Sequence, residues 1–94
     1  MAIHKLKTVQ PYFDNCWQGK KTFEVRFNDR NFQVDDTVYL MEYDAESKAF
    51  SGRKLRTTIV YILENYPALL DKYVVFSFIV DAHMESKPSF EYSL

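Results

Sequence analysis

The residue types best suited to chemistry lie in one short segment, residues 19–26 (GKKTFEVR). In an extended chain, Thr22, Glu24 and Arg26 fall on one face, so a hydroxyl, a carboxylate and a guanidinium stand in a row. Basic side chains hold phosphates or carboxylates, and a carboxylate accepts hydrogen bonds from an exocyclic amino group. The segment therefore predicts a polar face that recognises a phosphate-bearing ligand. A purely structural interpretation stays open, in which Glu24 pairs with Arg26 on a solvated strand.

Two elements must position this face. Pro11 fits a first helical turn and Gly19 fits the position after a helix C-terminus, which predicts a short amphipathic helix over residues 10–18. Residues 22–27 alternate strictly between apolar and polar, which predicts a half-buried strand. Before the helix, residues 3–8 are predicted to form a first strand. The polar face should then lie where the helix meets the sheet.

Three apolar segments in the second part of the chain complete a sheet. They predict strands over 37–43, 53–63 and 73–80. The last is almost continuously apolar, which is typical of a strand buried on both faces. The predicted fold class is α+β, mainly β: a small β-barrel of about five to six strands, with a short N-terminal helix closing a cleft.

The remaining segments are predicted as connections. Residues 44–52 are expected to form a hairpin loop in which Gly52 is available for positive φ, and residues 68–72 a single helical turn. The polar tail, residues 81–94, is expected to add an edge strand, to pack on a partner or to be loose. The first option follows from the alternation of Phe90, Tyr92 and Leu94.

Charge and composition narrow the classes of function. The chain has 94 residues and a net charge of −1, which indicates one small domain. Residues 1–30 hold six basic and three acidic side chains, and residues 31–94 hold six and ten. The basic excess of three charges in residues 1–30 is too small to favour a protein that binds long duplex DNA. It allows a local basic cleft for a short or single-stranded ligand. No apolar run approaches a membrane span and the start lacks the apolar region of a signal peptide, so we expect a cytoplasmic protein without membrane contact.

Other reactive residues carry little signal. His4 and His83 are far apart and are interpreted as surface histidines, so no metal and no cofactor are predicted. Cys16, the single cysteine, excludes an intrachain disulfide. It lies beside Trp17 and is interpreted as a buried inert thiol rather than a nucleophile.

Residues 19–26, the turn 28–30 (NDR) and Tyr12-Phe13 together resemble the signature of ASCH domains, a branch of the PUA-like superfamily. The resemblance is to a bacterial and phage-associated subgroup of unassigned function and covers about residues 3–80. It implies an ASCH/PUA-like domain over residues 1–80, followed by the tail.

The resemblance also implies a ligand. PUA-like domains have a cleft beneath the first helix and generally bind RNA, so RNA or a nucleotide-like ligand is the expected partner. Basic and polar side chains would hold it, and an aromatic ring such as Tyr12, Trp17 or Tyr43 would stack a base. The candidate ligand-binding residues are Lys5, Lys20, Lys21, Thr22, Glu24, Arg26, Arg30 and Tyr43.

Alternatives to simple binding stay open. Some ASCH members are similar to amidohydrolases that deacetylate N4-acetylcytidine with a lysine, a threonine and a glutamate. Lys21 matches that lysine, whereas Glu24 occupies the position of the threonine and does not reproduce a hydroxyl nucleophile. Lys21, Thr22 and Glu24 are therefore the catalytic candidates of a hydrolase on a modified nucleoside. A ribonuclease and a protein-interaction module are further alternatives, and the oligomeric state is not predicted.

Overall fold

The computed structural model of the chain describes residues 1–91 and is dominated by strands. Its elements are β1 (Ile3–Thr8), α1 (Tyr12–Trp17), β2 (Phe23–Phe27), β3 (Thr37–Asp44), β4 (Ala49–Leu63), β5 (Tyr73–Glu85) and β6 (Ser89–Phe90). One short helix with five to six strands confirms the predicted, mainly β fold class. In the described part of the chain, no helix has the length and apolar character to cross a bilayer.

The strands form one curled sheet in the order β1-β3-β4-β5-β2, with β6 paired to the start of β4. The β1–β3 pair is parallel and the other pairs are antiparallel. β1 and β2 are therefore the two ends of the sheet. The curl brings them face to face, because Arg26 on β2 donates a hydrogen bond of 3.0 Å to the carbonyl of Lys7 on β1. The sheet is thus a half-barrel whose closure is completed by side chains.

The core fills the concave side of this sheet. Its fully buried members include Phe13 and Cys16 from α1 together with Leu40, Leu55 and Phe76 from three strands. The helix therefore closes the interior with its apolar face. Packing of these side chains against one another is the main favourable term in the stability of so short a chain.

Two strands are longer than predicted. β4 begins at Ala49 rather than at residue 53, because the turn needs only residues 45–48. Gly52 has the expected positive φ of 97°, and a Cβ there would lie 2.0 Å from the carbonyl oxygen of Ser86. β5 continues to Glu85, beyond the predicted domain end at residue 80.

The prediction that residues 73–80 are buried on both faces is wrong. Val74, Phe76 and Phe78 are buried, whereas Ile79 is 54% and Val80 36% exposed. The reason is that β5 lies in a single curled layer between antiparallel neighbours, so only its concave side meets the core.

The segments around β5 also differ in detail. Residues 68–72 form turns instead of a helical turn, with Lys72 at a φ of 65°, which interrupts a right-handed helix. In the tail, Ser89–Phe90 pair with Ala49 and Phe50, which confirms the edge-strand option for this part. Tyr92 and Leu94, which the same expectation included, lie outside the described residues.

His4 is not a surface histidine, as its sequence context suggested, but part of a buried hydrogen-bonded pair. Its Nε2 lies 2.8 Å from Oδ2 of Asp36, and the two side chains are 7% and 3% exposed. Asp36 also accepts the backbone N–H groups of Ala2 and Gln33. Phe32 packs edge-on against the imidazole at 4.8 Å between ring centroids. This His4–Asp36 pair joins the start of β1 to the turn before β3.

Candidate functional site

β2 turns its polar face inward. Phe23, Val25 and Phe27 are 43–51% exposed, whereas Glu24 is only 4% exposed and Arg26 is half-buried. Alternation along β2 thus holds as predicted, but the apolar side chains occupy the outer side. Because β2 is the last strand of the sheet, its inward side chains reach the gap that separates it from β1.

Glu24 is the centre of a compact ionic cluster. Its Oε1 accepts a hydrogen bond of 2.9 Å from Nε of Arg26, and its Oε2 contacts Nζ of Lys21. The Lys21 and Arg26 side chains are 18% and 26% exposed. A buried carboxylate is costly without partners, so the two cations neutralise Glu24 and are themselves held in fixed positions.

Cys16 lies under this cluster, with Sγ 3.8 Å from Oε2 of Glu24. Burial raises the pKa of the thiol to about 11, and the proximity of Glu24 adds to the rise while Lys21 and Arg26 oppose it. A thiol with so high a pKa is protonated at neutral pH and is a weak nucleophile. The structure thus confirms that Cys16 is buried, and its surroundings support the prediction that it is inert.

Arg26 also joins β2 to β1. Its Nη2 donates hydrogen bonds to the Lys7 carbonyl at 3.0 Å and to Oγ1 of Thr8 at 3.4 Å. An arginine side chain here replaces the backbone ladder that joins neighbouring strands about 4.8 Å apart. The two strands stay apart, and a hollow opens between them on each side of this Arg26–Lys7 bridge.

The larger hollow, the β1–β2 cleft, has a volume of about 660 Å³, which lies in the range of small-ligand sites. Tyr12 and Phe23 leave their rings 53% and 43% exposed at its wall. Nζ of Lys21 lies 5.9 Å and 5.0 Å from the two ring centroids. The residues that line the cleft are Lys7, Thr8, Val9, Tyr12, Lys21, Phe23, Glu24, Val25 and Arg26. The arrangement offers aromatic faces, cations and one carboxylate to the same ligand.

The smaller hollow, the flanking groove, has a volume of about 300 Å³ and lies beyond the bridge. It shares Lys7 and Arg26 with the β1–β2 cleft, so the two hollows meet at the bridge. The residues that line it are Lys5, Leu6, Lys7, Arg26, Phe27, Asp29, Arg30 and Phe32. Four of these are cations and one is an acid.

The structure brings together most of the residues that the sequence proposed. Lys21, Glu24 and Arg26 line the β1–β2 cleft, and Lys5 and Arg30 line the flanking groove. These five side chains, which are separated by up to 25 positions in the sequence, meet because β1 and β2 are opposed across the gap.

Three proposed residues lie elsewhere. Lys20 and Thr22 are exposed and line neither hollow, because β2 begins only at Phe23 and the segment before it leaves the helix end. Tyr43 is 8% exposed, and its hydroxyl donates a hydrogen bond of 2.6 Å to Glu91. That bond, with burial, raises the pKa of Tyr43 to about 12. The centroid of its ring lies 4.9 Å from that of the Phe50 ring and 4.9 Å from Nζ of Lys7, and the ring lines neither hollow.

Trp17, a further candidate for stacking, is also occupied. Its ring packs edge-on against His83 at 4.5 Å between centroids, and the Arg53 guanidinium lies 5.0 Å away. Sequence reasoning missed Lys7 and Thr8 as site residues. The sequence gives no sign of the bond at Lys7, because Arg26 donates to the backbone carbonyl of this residue and every residue type has such a carbonyl.

Comparisons with known proteins place this geometry in a family. A protein of Escherichia phage P2, described as an uncharacterized 12.9 kDa protein in the GpA 3′ region, is 37% identical over 62 residues. The matched segment covers 66% of this chain and 55% of the phage protein, so the chain spans about half the length of that relative. A family model described as a domain of unknown function, DUF3850, matches residues 3–78, a range that includes both hollows. The chain therefore belongs to the DUF3850 family.

Proposed function

We propose that the protein binds RNA, or a nucleotide-like ligand, in the β1–β2 cleft. The single observation that carries this proposal is the convergence of Lys21, Glu24 and Arg26 on a cleft of about 660 Å³ whose wall exposes Tyr12 and Phe23. Cations beside exposed rings suit a ligand that has both a phosphate and a flat base.

Each group has a distinct part in this proposal. Lys21 and Arg26 hold the phosphate with charge-assisted hydrogen bonds, and their contacts with Glu24 keep them in place before the ligand arrives. Tyr12 and Phe23 stack the base. Since both cations are part-exposed, the ligand meets them without having to break into the core.

The resemblance to ASCH domains supports the same assignment. The run at residues 19–26 supplies both Lys21 and Glu24 of the cleft, and the curled sheet with its gap beside α1 agrees with the expected barrel. We therefore propose that DUF3850 proteins of this kind are ASCH/PUA-like RNA-binding modules. The phage relative is compatible with this assignment and names no activity.

The contacts of Glu24 and of the two nearby threonines favour binding over hydrolysis. Both oxygens of Glu24 are engaged by cations, which leaves a poor general base. Thr22 is exposed and lies outside the cleft. The Thr8 hydroxyl does line the cleft, but it donates to the Leu6 carbonyl and accepts from Arg26. Neither threonine is placed beside a base that would activate it.

Fluorescence anisotropy with a labelled single-stranded RNA at low salt tests the proposal. We expect saturable binding that Lys21→Ala weakens about tenfold, because one charge-assisted contact is lost. Lys20→Ala is the matched control, since Lys20 is adjacent and exposed but lines no hollow. Binding should weaken with salt at a shallow slope, about −0.7 for each phosphate that the protein holds on a single strand.

Two results would contradict the proposal. One is the absence of RNA binding at low salt by a protein whose circular dichroism and thermal unfolding show that it is folded. The other is binding to which Lys21→Ala and Lys20→Ala make the same difference, since that would place the ligand outside the cleft.

A further inference from the structure

We infer that the ligand is a single-stranded RNA segment of at least two or three nucleotides, which crosses the Arg26–Lys7 bridge and occupies the flanking groove as a second subsite. This inference rests on the proposed function and names its substrate class. A mononucleotide would fill the β1–β2 cleft alone, whereas the features described next extend the binding surface past it.

The first feature is continuity of charge across the bridge. Lys7 and Arg26 line both hollows, and Lys5 and Arg30 continue the series of cations in the flanking groove. Among residues 1–91, the Lys5 side chain forms no hydrogen bond or ion pair, and the Arg30 side chain has only a distant contact of 3.9 Å with exposed Asp29. Neither cation neutralises a buried acid, unlike Lys21 and Arg26, which neutralise Glu24. They are free to hold a second phosphate.

The second feature is a repeated aromatic face. Phe23 lies at the β1–β2 cleft and Phe27 at the flanking groove, 43% and 46% exposed, on the same outer face of β2. Phe27 is held by an edge-on contact with Tyr73 at 5.5 Å between centroids. Four strand residues span about 14 Å, more than the rise of about 3.4 Å between stacked bases. One base cannot reach both rings, but two bases of an extended strand can.

The floor of the flanking groove completes the subsite. Leu6 and Phe32, each 3% exposed, lie beneath the cations and form a rigid apolar base. An alternating series of cations and exposed rings along one groove is the usual arrangement of sites that bind single strands with little sequence preference. The groove thus favours a strand over a free nucleotide.

A length series measured by isothermal titration calorimetry tests the inference. The probes are uridine monophosphate and oligouridylates of two, three, four and six nucleotides, at low salt, with the folded full chain. We expect affinity to rise at least tenfold between the mononucleotide and the trinucleotide and then to level off. The double variant Lys5→Ala/Arg30→Ala, and separately Phe27→Ser, should remove this gain and leave mononucleotide affinity unchanged.

Controls keep the outcomes separate. Lys48→Ala/Lys72→Ala removes two exposed cations that line neither hollow and should leave the whole series unchanged. Equal affinity for all lengths, with Lys21 required, would overturn the second subsite and leave the proposed function standing. The same would follow if Lys5→Ala/Arg30→Ala weakened all lengths equally. The absence of binding at every length, or binding that is independent of Lys21, would overturn the proposed function and the inference with it.

Discussion

Two inward-facing ionic groups, one at each end of β1, differ in what surrounds them. The His4–Asp36 pair is closed: both side chains are less than a tenth exposed, and Asp36 is further satisfied by two backbone N–H groups. The Lys21–Glu24–Arg26 cluster is open: its carboxylate is buried, but its cations are 18% and 26% exposed on a cleft of about 660 Å³.

Under the proposed function, similar residue types serve structure in the closed pair and a ligand in the open cluster. The closed pair is less than a tenth exposed and lines neither hollow, so its contribution is to the fold. In the open cluster, Lys21 also donates to the Phe23 carbonyl, and Arg26 also donates to the Lys7 carbonyl, yet both cations stay partly exposed beside the cleft. Each experiment below alters one of the two groups or a residue beside it, and measures stability, RNA binding or both.

The largest effect is expected when the closed pair is broken. Asp36→Ala leaves the buried His4 and two part-buried backbone N–H groups without their acceptor, and should lower the free energy of unfolding by about 3 kcal/mol. Urea denaturation measures this loss. Asp71→Ala, at an exposed acid, is the control. RNA affinity of the folded fraction should stay unchanged; a loss of affinity in proportion to stability would remove the distinction between the two groups.

The reverse pattern is expected in the open cluster. Arg26→Ala should weaken RNA binding about tenfold or more, because the bridge between the two hollows and one phosphate contact are lost. Its cost in unfolding free energy should be only about 1 kcal/mol, since Lys21 still neutralises Glu24. Arg56→Ala on the exposed side of β4 is the matched control. If Arg26→Ala unfolded the protein without affecting RNA binding by the folded fraction, Arg26 would be a structural residue only.

Acid provides a second test of the closed pair. Burial alone would raise the pKa of Asp36, but hydrogen bonds from His4 and from the N–H groups of Ala2 and Gln33 outweigh it and hold the pKa below its usual range. The folded pKa is thus below the unfolded value of about 3.9. The stabilisation is complete above that value and is lost as pH falls through the folded pKa.

Thermal unfolding between pH 7 and pH 2 measures the acid effect. The native chain should lose stability below about pH 4, and Asp36→Asn should show a shallower loss over the same range. Asp71→Asn, at an exposed acid, should retain the native profile. Profiles of native chain and Asp36→Asn that are parallel throughout would show that Asp36 has no part in the acid response.

The smallest effect concerns a tail residue beside the open cluster. Glu91 forms an ion pair with Lys7, which lines both hollows, so it competes with an incoming phosphate. Glu91→Gln should raise RNA affinity about twofold to threefold, since the pair is exposed and weak. Glu85→Gln, at an exposed acid of β5, should have no effect. Unchanged affinity in Glu91→Gln would mean that the tail and the ligand do not share Lys7.

Much of the fold could be predicted because local patterns decide it. The positive φ of 77° at Gly19 ends the helix where the glycine lies, and the alternation in residues 22–27 identifies a strand. The continuation of β5 to Glu85 could not be predicted, because residues 81–85 are polar and become a strand by pairing with β4. The burial of His4 was equally hidden, since its partner Asp36 is 32 positions away in sequence.

By itself, the sequence determined that polar and apolar side chains alternate over residues 22–27. Only the tertiary structure decided that Glu24 and Arg26 face inward, whereas Thr22 lies before β2 and is exposed. The reason is that β2 lies at one end of a curled sheet opposite β1, where Arg26 finds the Lys7 carbonyl and Glu24 finds two cations. The Lys7 carbonyl belongs to a segment that is distant from β2 in the sequence, and no local pattern along β2 specifies such a partner.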